Sequence, residues 1–374
     1  MEKRILAIIC THNPNDKGYD ESFENFTHPW FNCIKSWQAQ NDEGMHVDII
    51  VADNVSGSKT RAKLLEYQSL TKNLCVVFTD QYFTSPFLCF NHALHIIRNK
   101  DKYDYFAYCA SDANFMKAGD LRMLIRDMES NSDCCFISPQ ADHDMVQKYC
   151  FNPNKESTKV HLGEGVNNHL FVCSNEFMKA YDYKYIDIIG GPRSESLNPF
   201  LCSAIGRCEC LSHKVIIHHI GRLDANSRSK SQPLLINLYK RDFFKMLNNG
   251  NTLGLGFEEC LQNRKVYENI FTNTPNLRTF KLLFIKAVVL NKIFKLLFYG
   301  ISSVGLLPSF LENNIRKALG EPYYHRHNPK FFDSNEHVLS KDLYHFVKNN
   351  LFLTKEELDY AKIPHRVYKC QGVI

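Results

Sequence analysis

Residues 4–13 read RILAIICTHN. After the arginine, the run to Cys10 carries only apolar side chains. A strand covered on one face alternates apolar and polar residues, whereas a strand covered on both faces reads as an unbroken apolar run. The stretch from Arg4 to Cys10 therefore predicts a buried parallel strand. Parallel neighbours need crossover connections, usually helices, and the downstream sequence supplies them. Helices are predicted over 29–40, with Trp30, Ile34 and Trp37 on one side, and over 60–70, 87–98 and 120–129. Strands are predicted over 47–52, 74–78, 105–109 and 134–137. This rhythm predicts an α/β, doubly wound sheet of Rossmann type.

Ligands of such sheets bind outside the carboxyl ends of the strands, so the residues closing each strand are the ones to read for chemistry. They are Thr11-His12-Asn13, Asp53-Asn54-Val55-Ser56, Thr79-Asp80 and Ser111-Asp112-Ala113-Asn114, all small, polar or acidic. No GxGxxG follows the first strand and no GxxxxGK[ST] occurs, which argues against a dinucleotide cofactor and a P-loop ATPase. Further on, a strand is predicted over 170–173. A helix over 198–205 ends at Gly206, and a strand over 215–220 carries His218 and His219 near its end.

Bulk composition fits this picture. The 374 residues are 44% hydrophobic and 23% charged, an ordinary globular mix with enough apolar material for a large core. A formal charge of +5 without an Arg-rich run gives no footprint for nucleic acid, and none is expected as a partner. The 14 cysteines are scattered and many sit in apolar stretches, as buried free thiols do in a reducing compartment. The N-terminal apolar run is too short for a signal peptide, and no apolar stretch reaches the length of a transmembrane helix. A cytoplasmic location is expected.

Five segments in order resemble the inverting GT-A-fold glycosyltransferase family 2, whose members include bacterial rhamnosyl- and galactosyltransferases. They are Thr11-His12-Asn13, Asp53-Asn54-Val55-Ser56, the helix 87–94 with Asn91, Ser111-Asp112-Ala113-Asn114 at the place of the family's DXD, and Ser194-Glu195 followed by Gly206 and His218-His219. The resemblance covers residues 3 to 245. It implies a GT-A fold, Rossmann-like and mostly parallel, flanked by helices and followed by a helical C-terminal extension. It also implies transfer of a sugar from a nucleotide-diphosphate donor, with inversion. Two departures stand out: the acidic motif is Asp-Ala-Asn, and the Glu-Asp pair is Ser-Glu.

The resemblance assigns roles residue by residue. Asp112, with Asn114 as a neutral oxygen and His219 as a third ligand, would hold Mn²⁺ or Mg²⁺ as a Lewis acid on the leaving diphosphate. His218 is the second choice, because neighbours on a strand face opposite ways. Glu195 would be the base that takes the acceptor's proton, with Asp187 and Asp182 as fallbacks. Asp53 would accept a nucleobase N–H, and Thr11, Asn13, Asn91 and Ser111 would line the nucleotide site. Plainer readings stand beside these. Ser111–Asn114 suits a turn, Asp53 and Asn54 suit a turn and helix cap, and Glu195 suits a solvated loop. Cys202, Cys208, Cys210 and His213 lack the usual spacing of a zinc site.

Two domains are expected, a catalytic one over 1–232 and a helical region over 233–374. Within the latter, residues 279–312 interleave Lys281, Lys286, Lys292 and Lys295 with bulky apolar residues. That pattern suits a helix lying on the inner face of a membrane, or else a core helix or a contact in a homo-oligomer. The acceptor expected with this surface is a lipid-linked or cell-surface glycan. The rivals are a sugar nucleotidyltransferase and a non-catalytic, membrane-associated relative of the same fold.

Overall fold

The structure is a computed structural model. It describes residues 2–16, 29–80, 83, 86–142, 154–160, 166, 169–185, 198–219 and 365–368. By compactness the chain divides into two units, Met1–Arg228 with Phe331–Ile374, and Ser229–Lys330. All described residues belong to the first. The expected membrane-surface helix over 279–312 and nearly all of the expected helical C-terminal region lie outside them.

The elements in chain order are β1 (Lys3–Thr11), α1 (Pro29–Gln38), β2 (Met45–Asn54), α2 (Ser58–Leu70), β3 (Leu74–Thr79), α3 (Pro86–Ile96), β4 (Tyr105–Ala110), β5 (Ala113–Phe115) and α4 (Asp120–Glu129). There follow β6 (Cys134–Ala141), β7 (Thr158–Lys159), β8 (Leu170–Ser174), α5 (Asn175–Ala180), α6 (Asn198–Ala204), β9 (Cys208–His219) and β10 (His365–Tyr368). The expected α/β alternation is present through β6. The strands form one sheet in the order β10-β3-β2-β1-β4-β8-β6-β9-β5, with β7 added on β9.

The sheet is parallel only in part. β3, β2, β1 and β4 run parallel, as the unbroken apolar runs imply. β8 then enters antiparallel between β4 and β6, and β5 and β10 are antiparallel as well. β6 and β9 run parallel again, so β3, β2, β1, β4, β6 and β9 share one direction and the sheet is mixed but mostly parallel. β8 follows β6 in the chain order of the long strands and turns back against it, which also sets it antiparallel to β4. β10, from the C-terminal segment, adds an edge strand to β3 where no strand was expected.

Ile5, Ala7 and Ile9 of β1 join one core with Trp30, Ile34 and Trp37 of α1, Leu64 and Tyr67 of α2, and Leu121, Leu124, Ile125 and Met128 of α4. The opposite face is aromatic. Phe87 and Phe90 of α3 pack against Tyr108 and Phe171, and Phe136 packs against Phe171 and Phe177 of α5. Burying a large aromatic side chain removes some 150–250 Å² from water, so these rings dominate that layer.

The loop after β1 is tied to the start of α2 by charge. Gly57 at the N-cap of α2 has no side chain to offer the free amides. Asp16 supplies the cap from a distance. Its Oδ1 accepts from Thr60 N (2.8 Å) and Thr60 Oγ1 (2.6 Å), and its Oδ2 accepts from Lys59 N (3.2 Å). A Cβ on residue 57 would lie 2.4 Å from the Asp16 carboxyl carbon, so a side chain there would push this cap aside. Burial works against the Asp16 charge, but the hydrogen bonds from Thr60 and Lys59 prevail and hold its carboxyl below the usual aspartate range. Its contribution to stability is therefore full above the unfolded-state value and is lost as pH falls through the lower folded value. Asp16→Ala should cost about 1 kcal/mol in urea unfolding at neutral pH. The gap from the wild type should close as the pH drops below about 4.

Candidate functional site

β1 lies between β2 and β4, and its register brings the strand ends level. Thr11 stands beside Asp53, and Cys10 beside both Ala52 and Ala110. Neighbouring strands sit about 4.8 Å apart, so the ends of β2 and β4 are separated by about 10 Å across β1. A nucleoside diphosphate can bridge that span.

On the β2 side, Asp53 is fully buried. Its Oδ2 accepts from Ser56 N (3.2 Å) and from Arg61 Nε (2.9 Å). Arg61 reaches across from α2, also donates to Thr79 O at 2.6 Å, and lies over the Phe78 ring. Burial raises the Asp53 carboxyl above its ordinary value, with Ser56 and Arg61 pulling the other way. Among the described residues Asp53 Oδ1 and Thr11 Oγ1 are buried without a hydrogen-bond partner. Both atoms keep hydrogen-bonding capacity that the described side chains do not use.

Asn13 and Asn54 stitch the loops behind this point. Asn13 N donates to Ser56 Oγ (2.8 Å) and its Nδ2 donates to Thr60 Oγ1 (3.1 Å). The Asn54 amide exchanges two 2.8 Å hydrogen bonds with the backbone of residue 83. Asp53 makes the expected turn with Ser56, while the cap of α2 belongs to Asp16.

On the β4 side, Ser111 and Asp112 form the turn into β5, and Ser111 N donates to Cys10 O at 3.2 Å. β5 pairs with the end of β9, Ala113 opposite His219 and Asn114 opposite His218. His219 Nε2 lies 3.2 Å from Asp112 Oδ2. Burial works against the Asp112 charge, but the hydrogen bond and charge of His219, with the charge of His169, hold its carboxyl below the usual range. Asn114 Oδ1 is a third buried acceptor with no partner among the described residues. Among the same residues, no three His, Cys, Asp or Glu side chains form a metal-binding group. The donors that meet are thus one carboxylate and one imidazole; Asn114 stands opposite His218, on the other face of its strand from Ala113 and His219. An ion held by both Asp112 and His219 would take the place of the hydrogen bond between them.

His218 turns elsewhere, pairing its Nδ1 with Asp142 Oδ2. Asp142 Oδ1 also accepts from His219 N at 3.1 Å. Asn91 on α3 uses its amide to exchange hydrogen bonds with the backbone of Tyr185, at 2.8 and 2.7 Å. Tyr185 OH donates to Asn198 Oδ1 at 2.7 Å. Glu195, Ser194 and Asp187 lie in 186–197, outside the described residues. Asp182 is a correction. It follows α5, where β8 ends beside the start of β4, and its partner there is Lys184. That is the opposite edge of the sheet from Asp112, so Asp182 is no fallback base. Both ring nitrogens of His213 bond within the fold, to Gln140 and Thr158.

Arg61, Asp142 and His169 were missed by the sequence reading. An acid closing a sixth strand could have flagged Asp142. Nothing local marks the other two, which act through contacts between distant elements.

No protein-family model matches the chain, and no curated protein matches it. Solved structures similar to it include S. aureus TarS, at 12% identity and a TM-score of 0.48, covering 91% of this chain and 55% of that one. Another is mannosyltransferase PcManGT from Pyrobaculum calidifontis in complex with GDP-Man and Mn²⁺, at 12% identity and a TM-score of 0.46, covering 95% and 88%. A third is GalNAc-T7 with UDP, GalNAc and Mn²⁺, at 11% identity and a TM-score of 0.43, covering 64% and 48%. The chain thus spans about half the length of the TarS structure, at 55%. Its own architecture is the GT-A arrangement, with a parallel half-sheet, an acidic turn after the fourth strand and a short strand paired to the strand of the late histidine.

Arg61→Ala would strand the buried Asp53 carboxylate. Denaturant unfolding should show a loss of about 3 kcal/mol at neutral pH. That loss should shrink in acid, because Asp53, already raised and now without its cation, takes up a proton more readily.

Proposed function

We propose that the chain is an inverting glycosyltransferase that moves a hexose or deoxyhexose from a nucleotide-diphosphate donor. The observation that carries this reading is the convergence of Asp112 and His219 at the edge where Asp53 and Thr11 leave buried acceptors open. Asp53 Oδ1 would accept the ring N–H of the nucleobase, and Thr11 Oγ1 would lie beside it. A carboxylate oxygen there favours a base that donates from its ring, such as uracil or thymine, over cytosine, whose N3 accepts. Ser111 would face the diphosphate at the turn. Asn13 and Asn91 would act behind the nucleotide, the first by joining the loops of β1 and β2, the second by holding the backbone of Tyr185.

Asp112, His219 and Asn114 would hold Mn²⁺ or Mg²⁺, which when bound offsets the charge growing on the leaving diphosphate. The low carboxyl pKa of Asp112 keeps it charged for that role. Glu195 would take the proton from the acceptor hydroxyl as it attacks the sugar carbon from the face opposite the diphosphate, which inverts the anomeric centre. The acceptor would be a lipid-linked or cell-surface glycan. Residues 279–312 would rest on the inner face of a membrane, their lysines toward anionic headgroups.

A thermal-shift series with Mn²⁺ and UDP-, dTDP-, GDP- and CMP-sugars tests the donor site, because a ligand that binds only the folded chain raises its melting temperature. UDP-, dTDP- or GDP-sugars, whose bases donate from the ring, should give a shift and CMP-sugars none. Asp112→Ala and Glu195→Ala should each lower donor hydrolysis at least about 100-fold. Normal hydrolysis by both variants would sink the catalytic assignment, and no shift with any donor would favour a non-catalytic relative.

A further inference from the structure

We infer that His169 is a positioning residue: its ring holds the His219 imidazole in the orientation that presents Nε2 to Asp112. The two imidazoles are stacked, with ring centroids 3.5 Å apart and planes inclined by 16°. Such contact between flat rings leaves His219 little freedom to turn about its Cβ–Cγ bond, the broad torsion that otherwise sets where Nε2 points. The inference rests on the cation-assisted donor site proposed above and adds to it a residue with no place in the motif pattern.

His169 is itself well fixed. Its carbonyl oxygen accepts from Ala110 N at 2.7 Å, at the last residue of β4. The strand that delivers Asp112 therefore also holds the backbone of His169. The other side of His219 is tied by its own N–H to Asp142 Oδ1 at 3.1 Å. The backbone of His219 is thus set by Asp142, the plane of its ring by His169, and its Nε2 then falls 3.2 Å from Asp112 Oδ2. Groups that orient a metal ligand typically govern metal affinity by 10–100-fold, because an unheld ligand must be ordered each time the ion binds.

The stack also separates two ways in which His169 could matter. If it acts by its flat face, any planar ring should serve. If it acts by its nitrogens, only an imidazole will do. Titration of the full chain with Mn²⁺, with free ion measured by electron paramagnetic resonance, reads the difference without turnover. His169→Ala should weaken Mn²⁺ binding at least about tenfold. His169→Phe should stay within about threefold of the wild type, and His169→Leu, which fills space without a flat ring, should behave like alanine. Near-UV circular dichroism checks the fold of each variant; should the alanine variant not fold, the Phe and Leu pair decides alone. Unchanged affinity in His169→Leu, or a phenylalanine variant as weak as leucine, would overturn the positioning role. A folded wild type that binds no Mn²⁺ would instead overturn the cation site itself, and the inference with it.

Discussion

Backbone hydrogen bonding between β1 and its two parallel neighbours sets where every other part of the site can be. Parallel strands in register end together, and the loops that leave them must start from one edge. Thr11 beside Asp53, and Cys10 beside Ala110, are direct products of that register. A slip by one residue would turn each side chain to the other face. It would send Ile5, Ala7 and Ile9 out of the core they share with α1, α2 and α4. The apolar packing and the chemistry at the strand ends are thus fixed by the same ladder.

The edge so formed carries charge at a burial where charge is costly. Asp53 and Asp112 are both held in place by a cationic or hydrogen-bonding partner from a distant element: Arg61 from α2 and His219 from β9. The two outcomes differ. Desolvation wins at Asp53, whose carboxyl is raised, and the imidazoles win at Asp112, whose carboxyl is lowered. Asp16 shows the same device used for structure, a carboxylate from one loop completing a helix that begins on glycine.

Much of the first half was legible because its signals are local. Largely apolar runs predict β1 to β4; the strands found are longer by one residue at each end for β1, two at each end for β2, and one at the C-terminal end for β3 and β4. The helix expected over 120–129 is α4, Asp120–Glu129. The second half was harder to read. β5 is three residues long and has no periodicity to find, while β9 runs from Cys208 through polar residues such as Glu209 and His213 that hide its first half. β10 pairs with β3 across most of the chain length, which no window of sequence can register.

The sequence by itself determined the alternation of strand and helix, and it placed Thr11, Asp53 and Ser111-Asp112 at strand ends, because a buried parallel strand announces itself and its closing turn follows directly. It also marked His219 as a residue to watch. Only the tertiary structure decided that His219 rather than His218 faces Asp112, that Arg61 and His169 belong to the site, that Asn91 anchors Tyr185, and that Asp182 lies at the wrong edge. Those facts depend on strand direction and register between segments far apart in the chain. Pairing energy is spread over the whole ladder, and no single residue carries its sign.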